Sequence, residues 1–145
     1  MTLERGNAFT PVASATMIWP WGTALVAGGV TGAATFLLNL ASFDVSGALT
    51  TGIFFFSLVG GAVALLGSKG DRRARRYAGQ YPWRFATAPA LFGGAGTAAV
   101  TLVAVMLGGS FLAAPFAAIG AGIGTAAVLW VILGIIGMVA GNKSA

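Results

Sequence analysis

The chain has 145 residues, of which 57% are hydrophobic and 8% charged, with a net charge of +5 and neither His nor Cys. A soluble domain carries about 25% charged residues, and a domain this small buries too little surface to hide so much apolar area, so a mean hydropathy of +0.90 points to a bilayer as solvent. Thiolate metal sites, disulfides and the commonest general base are excluded outright.

Residues 1–15 are a short mixed lead containing Glu4, Arg5 and Pro11. They do not read as a cleaved secretory signal: the apolar run after them is too long, and the small residues Ala13 and Ala15 precede it when they should follow. The first predicted span covers about 17–40 and opens on Trp19-Pro20-Trp21, with the proline in a first turn that needs no N–H. A turn holding Asp44 follows, then a second span over about 48–66. Residues 68–84 form a basic loop that carries Lys69, Arg72, Arg73, Arg75, Arg76 and Arg84. A third span is predicted over about 85–107, an uncharged turn at Gly108-Gly109-Ser110, and a fourth span over about 113–139.

These spans are expected to be helices, because an open strand edge leaves backbone groups unpaired in lipid. Each is long enough, since about 20 residues at 1.5 Å each cross a hydrocarbon core of roughly 30 Å. The fold class expected is therefore an all-α integral membrane protein: one membrane domain over 1–145 with four transmembrane helices. Arg5 precedes the first span, Lys143 follows the last, and the other six cations sit in the middle loop. Four crossings put all eight on one side, so the excess of cations on cytoplasmic loops orients the chain with both ends and the basic loop in the cytoplasm. Trp19, Trp21, Tyr77, Tyr81 and Trp83 fall at the same interface, where aromatic anchors collect. Frequent Gly and Ala, with Arg outnumbering Lys, suggest a bacterial chain, and hence the plasma (inner) membrane.

Tyr81-Pro82-Trp83 resembles the triplet at Trp19, and each is followed by a glycine pair, Gly28-Gly29 and Gly93-Gly94. Two accounts stand open: two helical hairpins related by duplication, or the ordinary gathering of Trp and Pro at interfaces.

Helices in lipid associate by close packing, which small residues permit. Residues four apart stack on one face, so the candidate packing residues are Gly28, Gly29 and Gly32 in span one, Gly93, Gly94 and Thr97 in span three, and Gly120 and Gly124 in span four. Ser57 and Gly61 offer a narrower groove in span two, and Ala118 and Gly122 a second row in span four. Asn39 is the polar residue least at ease within a span; it could bond to the exterior turn or across to another helix, and the interhelical bond is the one expected. Trp130 lies deep in span four and needs a partner for its N–H or a gap to fill.

Glu4, Asp44 and Asp71 are the only acids, and none is expected in the hydrocarbon, where proton-coupled carriers hold theirs. No phosphate loop, nucleophile–base pair or metal spacing occurs. The sequence thus leads to no enzyme, no metal, no cofactor beyond a bound lipid or apolar pigment, and no nucleic-acid partner. It is expected to be a non-catalytic small subunit or assembly partner of a larger membrane complex. Its basic loop (Lys69 to Arg84) would meet anionic lipid or an acidic partner. The alternative is a small homo-oligomeric channel or transporter, with Thr31, Thr35, Asn39 and Thr97 as candidate lining.

Overall fold

The computed structural model describes residues 21–66 and 72–142, all of them helix or short turn. Among the described residues five helices run in order: α1 Trp21–Leu40, α2 Val45–Leu66, α3 Arg72–Gln80, α4 Pro82–Leu107 and α5 Ala114–Asn142. The four long ones are apolar enough and long enough to cross a membrane. This is an all-helical, multi-pass membrane architecture.

Three boundaries differ from expectation. The second helix begins at Val45 rather than 48 because Asp44 caps it. Asp44 Oδ1 accepts hydrogen bonds from the Gly47 N–H at 2.9 Å and the Ser46 hydroxyl at 2.8 Å, meeting donors that a helix start otherwise leaves unpaired. Those two bonds hold the Asp44 carboxyl below the usual carboxylate range, Gly47 contributing most. The third long helix begins at Pro82, three residues early, since proline suits a first turn. Pro89 therefore lies inside the helix rather than near its start. The last helix runs on through Gly141 to Asn142.

The basic loop needs a larger correction. Residues 72–80 are not loop but helix α3. Arg, Ala and Gln are good helix formers, and this short helix gains most of its stability by docking rather than from propensity. Ala78 is fully buried, in a cluster with Ala24, Leu65 and Phe85 that Tyr77, Ile136 and Ala140 cover. Gly79 lies against Gly141, backbone on backbone. This contact puts α3 and the end of α5 at one end of the bundle, called here the basic end. The two short turns, 41–44 and 108–113, lie at the other.

Two antiparallel hairpins, α1–α2 and α4–α5, make the bundle, and α2 joins them by packing on both α4 and α5. The first hairpin closes on a ladder of small residues. A Cβ on Gly60 would stand 3.0 Å from the Ala24 carbonyl, one on Gly28 2.6 Å from the Phe56 carbonyl, and one on Gly32 2.9 Å from the Gly52 carbonyl. The second closes where Gly94 and Gly122 meet, each leaving a Cβ under 3 Å from the other's carbonyl. At the junction Gly61 receives Leu133, and Gly93 receives Ser57 and Leu129.

Candidate functional site

The packing residues read from the sequence separate into two groups. Gly28 and Gly32 sit in the α1–α2 ladder, and Gly93 and Gly94 on the inner faces of α4. Among the described residues, nothing stands within 4 Å of a Cβ added at Gly29, Gly120 or Gly124. Within the chain, the row of α5 that packs is the neighbouring one, Ala118 and Gly122, both buried. Gly120 and Gly124 lie on the opposite side of α5, one turn apart, beside the exposed Phe116, Ile123 and Val128. That side of the helix is a notch with an exposed apolar rim.

Asn39 serves its own helix end rather than bridging to another helix. Its Nδ2 donates to the Thr35 carbonyl at 2.8 Å, and its carbonyl accepts from the Ser42 N–H and hydroxyl. Thr31 and Thr35 likewise return their hydroxyl protons to the preceding turn, to Ala27 and Thr31 at 2.9 Å, the local bond that hydroxyl residues commonly make in helices. These three belong to α1, which lies along α2, whereas Thr97 belongs to α4. The cleft that Thr97 lines is walled by residues of α2, α4 and α5 and includes none of these three.

Thr97 behaves differently from the other threonines. It is 6% exposed, and among the described residues its Oγ1 has no hydrogen-bond partner. A buried hydroxyl left unpaired costs about 1–3 kcal/mol. A packing role for Thr97, expected from its size, does not account for its idle oxygen.

The basic end holds the remaining candidates. Arg84 stacks over the Tyr81 ring at 4.9 Å, and Tyr81 packs on Tyr77 at 5.5 Å, so α3 and the start of α4 share one aromatic and cationic surface. Trp83 is more than an interfacial anchor. Its ring lies against Gly134 and 4.6 Å from the Trp130 ring, and its carbonyl accepts a 2.9 Å bond from Trp130 Nε1. Trp130 is thereby a pin between α4 and α5. Trp21 stands at the start of α1, half exposed. Arg75 is half-buried and Arg76 exposed. Trp19 and Lys69, and the side chains of Arg72 and Arg73, lie outside the described residues.

Sequence reasoning found the threonines singly but missed that those of α2, α4 and α5 come together. The available signal was the four-residue step from Thr97 to Thr101, with no cue to which helices would face it. It also missed the Trp83–Trp130 bond and the Gly79–Gly141 contact, which depend on how separate helices cross. Against known proteins the result is uniform: no family model, no curated protein and no solved structure matches this chain.

Proposed function

We propose that this chain is a non-catalytic integral membrane subunit that docks against a transmembrane helix of a larger complex through the Gly120–Gly124 notch of α5. The observation that carries this reading is the open face itself. Gly28, Gly32, Gly93, Gly94 and Gly122 are all filled by neighbours, while Gly120 and Gly124 are not. Glycines four apart let a second backbone come close, and lipid tails, which are flexible, fill such a notch less well than a helix. The exposed Phe116, Ile123 and Val128 supply the rim.

In this reading the basic end faces the cytoplasm, in a bacterial inner membrane, with both chain ends on that side. The arginines of α3 lie over anionic lipid, each contributing about 1 kcal/mol. Asp44 and the two short turns face the opposite compartment.

Mild-detergent purification should bring down unrelated polypeptides in fixed ratio. Gly120→Leu with Gly124→Leu should release them and leave the chain folded, because both additions enter open space. Retention of the same partners by the double variant would sink the proposed docking face. Recovery of a pure homo-oligomer that conducts ions in liposomes would replace the subunit reading with the channel.

A further inference from the structure

We propose that the cleft between α2 and α4 at the turn end holds an acyl chain of a phospholipid whose primary-ammonium headgroup, as in phosphatidylethanolamine, pairs with Asp44. The cleft has a volume of about 420 Å³ and is walled by Val45, Ser46 and Leu49 of α2 and by Val100, Val103 and Leu107 of α4. Leu49 also borders a second apolar cleft, of about 310 Å³, that reaches Phe92. From Leu107 back to Phe92, α4 runs about 22 Å along its axis. One leaflet of a core roughly 30 Å thick is about 15 Å deep, so this trough takes a chain over the full depth of its leaflet.

A lipid chain suits these walls better than a helix does. Helices meet in lipid through small residues, and here branched Val and Leu project from both sides. A flexible methylene chain can follow such an uneven surface.

Charge selects the headgroup. Asp44 is exposed and stands directly before Val45 at the mouth of the cleft. Its Oδ1 is 2.8 Å from the hydroxyl of Ser46, a residue of the cleft wall. The donors on Oδ1, the Ser46 hydroxyl and the Gly47 N–H, are neutral, so the carboxylate keeps its charge. Asp44 is the only charged residue between Arg5 and Lys69, and there is none between Arg84 and Lys143. The basic end lies the length of α1 away, 20 residues or about 30 Å, well beyond a Debye length of about 8 Å. A cation that pairs with Asp44 therefore comes from outside the chain. An ammonium with N–H donors makes a charge-assisted hydrogen bond to a carboxylate. The choline headgroup has no donor, and a net-negative glycerol headgroup is repelled. This site needs only a membrane-spanning chain, so it stands whether or not the chain proves to be a subunit.

The test places the full chain in phosphatidylcholine nanodiscs with a trace of one photoreactive phospholipid. The probes carry the same diazirine-bearing acyl chain under an ethanolamine, choline or glycerol headgroup. The ethanolamine probe should label residues 45–49 and 99–107 about threefold more strongly than the choline probe, the scale of an interfacial ion pair. The glycerol probe should label them least. Asp44→Asn, which still caps α2, should level the three headgroups. Ala99→Phe, whose ring enters the cleft from an exposed position, should suppress labelling there by all of them. Equal labelling by the ethanolamine and choline probes would overturn the proposal. So would a preference that persists in Asp44→Asn, or label spread evenly over the four long helices. The headgroup order is read in the native chain, so it decides the matter even if a variant fails to fold.

Discussion

The two hairpins solve the same packing problem with different support around them. In α1–α2 the contacts run down a single face of α1, from Ala24 to Gly32, and α1 has little else to lean on. In α4–α5 the seam at Gly94 and Gly122 is backed by α2 on one side and by α3 at the basic end. The Trp83–Trp130 bond closes it further. Only 17% of the apolar stretch of α1 is buried, against 28% in α5. With no hydrophobic drive between helices in lipid, the helix with one partner is the one that can leave. Helix α1 therefore depends on α2 alone, whereas α2, α4 and α5 each pack on more than one neighbour.

The largest effect that comparison predicts is from Gly94→Leu. Its side chain would begin 2.7 Å from Ala126 and 2.8 Å from the Gly122 carbonyl, and backbone cannot give way as a side chain can. Overpacking of this kind costs about 3 kcal/mol or more. The whole helical unit should be lost, read as aggregation in mild detergent. Gly28→Leu meets a backbone just as closely, yet it should only detach α1. A built-in reporter exists because the chain lacks Cys. A Cβ at residue 60 stands 3.8 Å from that of Ala24, within the span a disulfide needs. Ala24→Cys with Gly60→Cys should oxidise in the otherwise native chain and fail to do so with Gly28→Leu, while α2, α4 and α5 stay folded. Equal collapse in both glycine variants would mean that α1 is integral to the unit.

Trp130→Phe tests the pin on the second hairpin. It removes the Nε1 bond to the Trp83 carbonyl but keeps a ring against Trp83. A neutral hydrogen bond contributes about 0.5–1.5 kcal/mol net, so thermal stability should fall by that amount. The Ala24–Gly60 cross-link should be untouched. An unchanged melting temperature would assign the hold to ring packing alone.

Much of this fold was legible in the sequence, and the reasons are specific. Four apolar runs free of charged residues leave the backbone one way to pair, so the number of spanning helices follows, and their ends to within about three residues. Which face of each helix turns inward does not. The α5 sequence is apolar all round, with small residues on two rows, and nothing local separates Gly120 and Gly124 from Ala118 and Gly122. Only the position of Gly94 and Ala98 across the seam decides. Helix α3 was hidden for the opposite reason: its arginines read as solvated loop, and the residues that dock it, the buried Ala78 and Gly79 against Gly141, are too small to signal a contact. Thr50, Thr51, Thr97, Thr101 and Thr125 come to line one cleft only when α2, α4 and α5 assemble, so no single stretch could reveal it.

Asp44 ties the first hairpin's turn to pH. Its carboxyl is held below the usual range by the Gly47 N–H and the Ser46 hydroxyl, bonds that the unfolded chain lacks. A depressed folded pKa gives stability that is complete above the unfolded value, near 3.9, and that drains as pH falls through the lower folded value. The α2 start should therefore loosen below about pH 4, in hydrogen exchange at residues 45–48. Asp44→Asn still caps, and should keep the helix start while removing the pH dependence. A pH response that survives in Asp44→Asn would have to come from another group.

The smallest effect concerns the residue just before that cap. Phe43 adopts φ of 60°, a left-handed conformation that costs a side-chain-bearing residue roughly 1–2 kcal/mol. Its ring is 95% exposed, so packing within the chain does not compensate. The other turn places Gly109 at its own positive φ, where no such cost arises. Phe43→Gly should relieve the strain but enlarge the freedom of the unfolded chain by about 0.4–1 kcal/mol, leaving a net gain of at most about 1.6 kcal/mol in detergent. In a bilayer an exposed ring at a helix end also partitions into the interface, and the glycine forfeits that. The gain should therefore shrink or reverse on moving from micelles to nanodiscs. The same gain in both media would show that the Phe43 ring has no hold on the membrane surface.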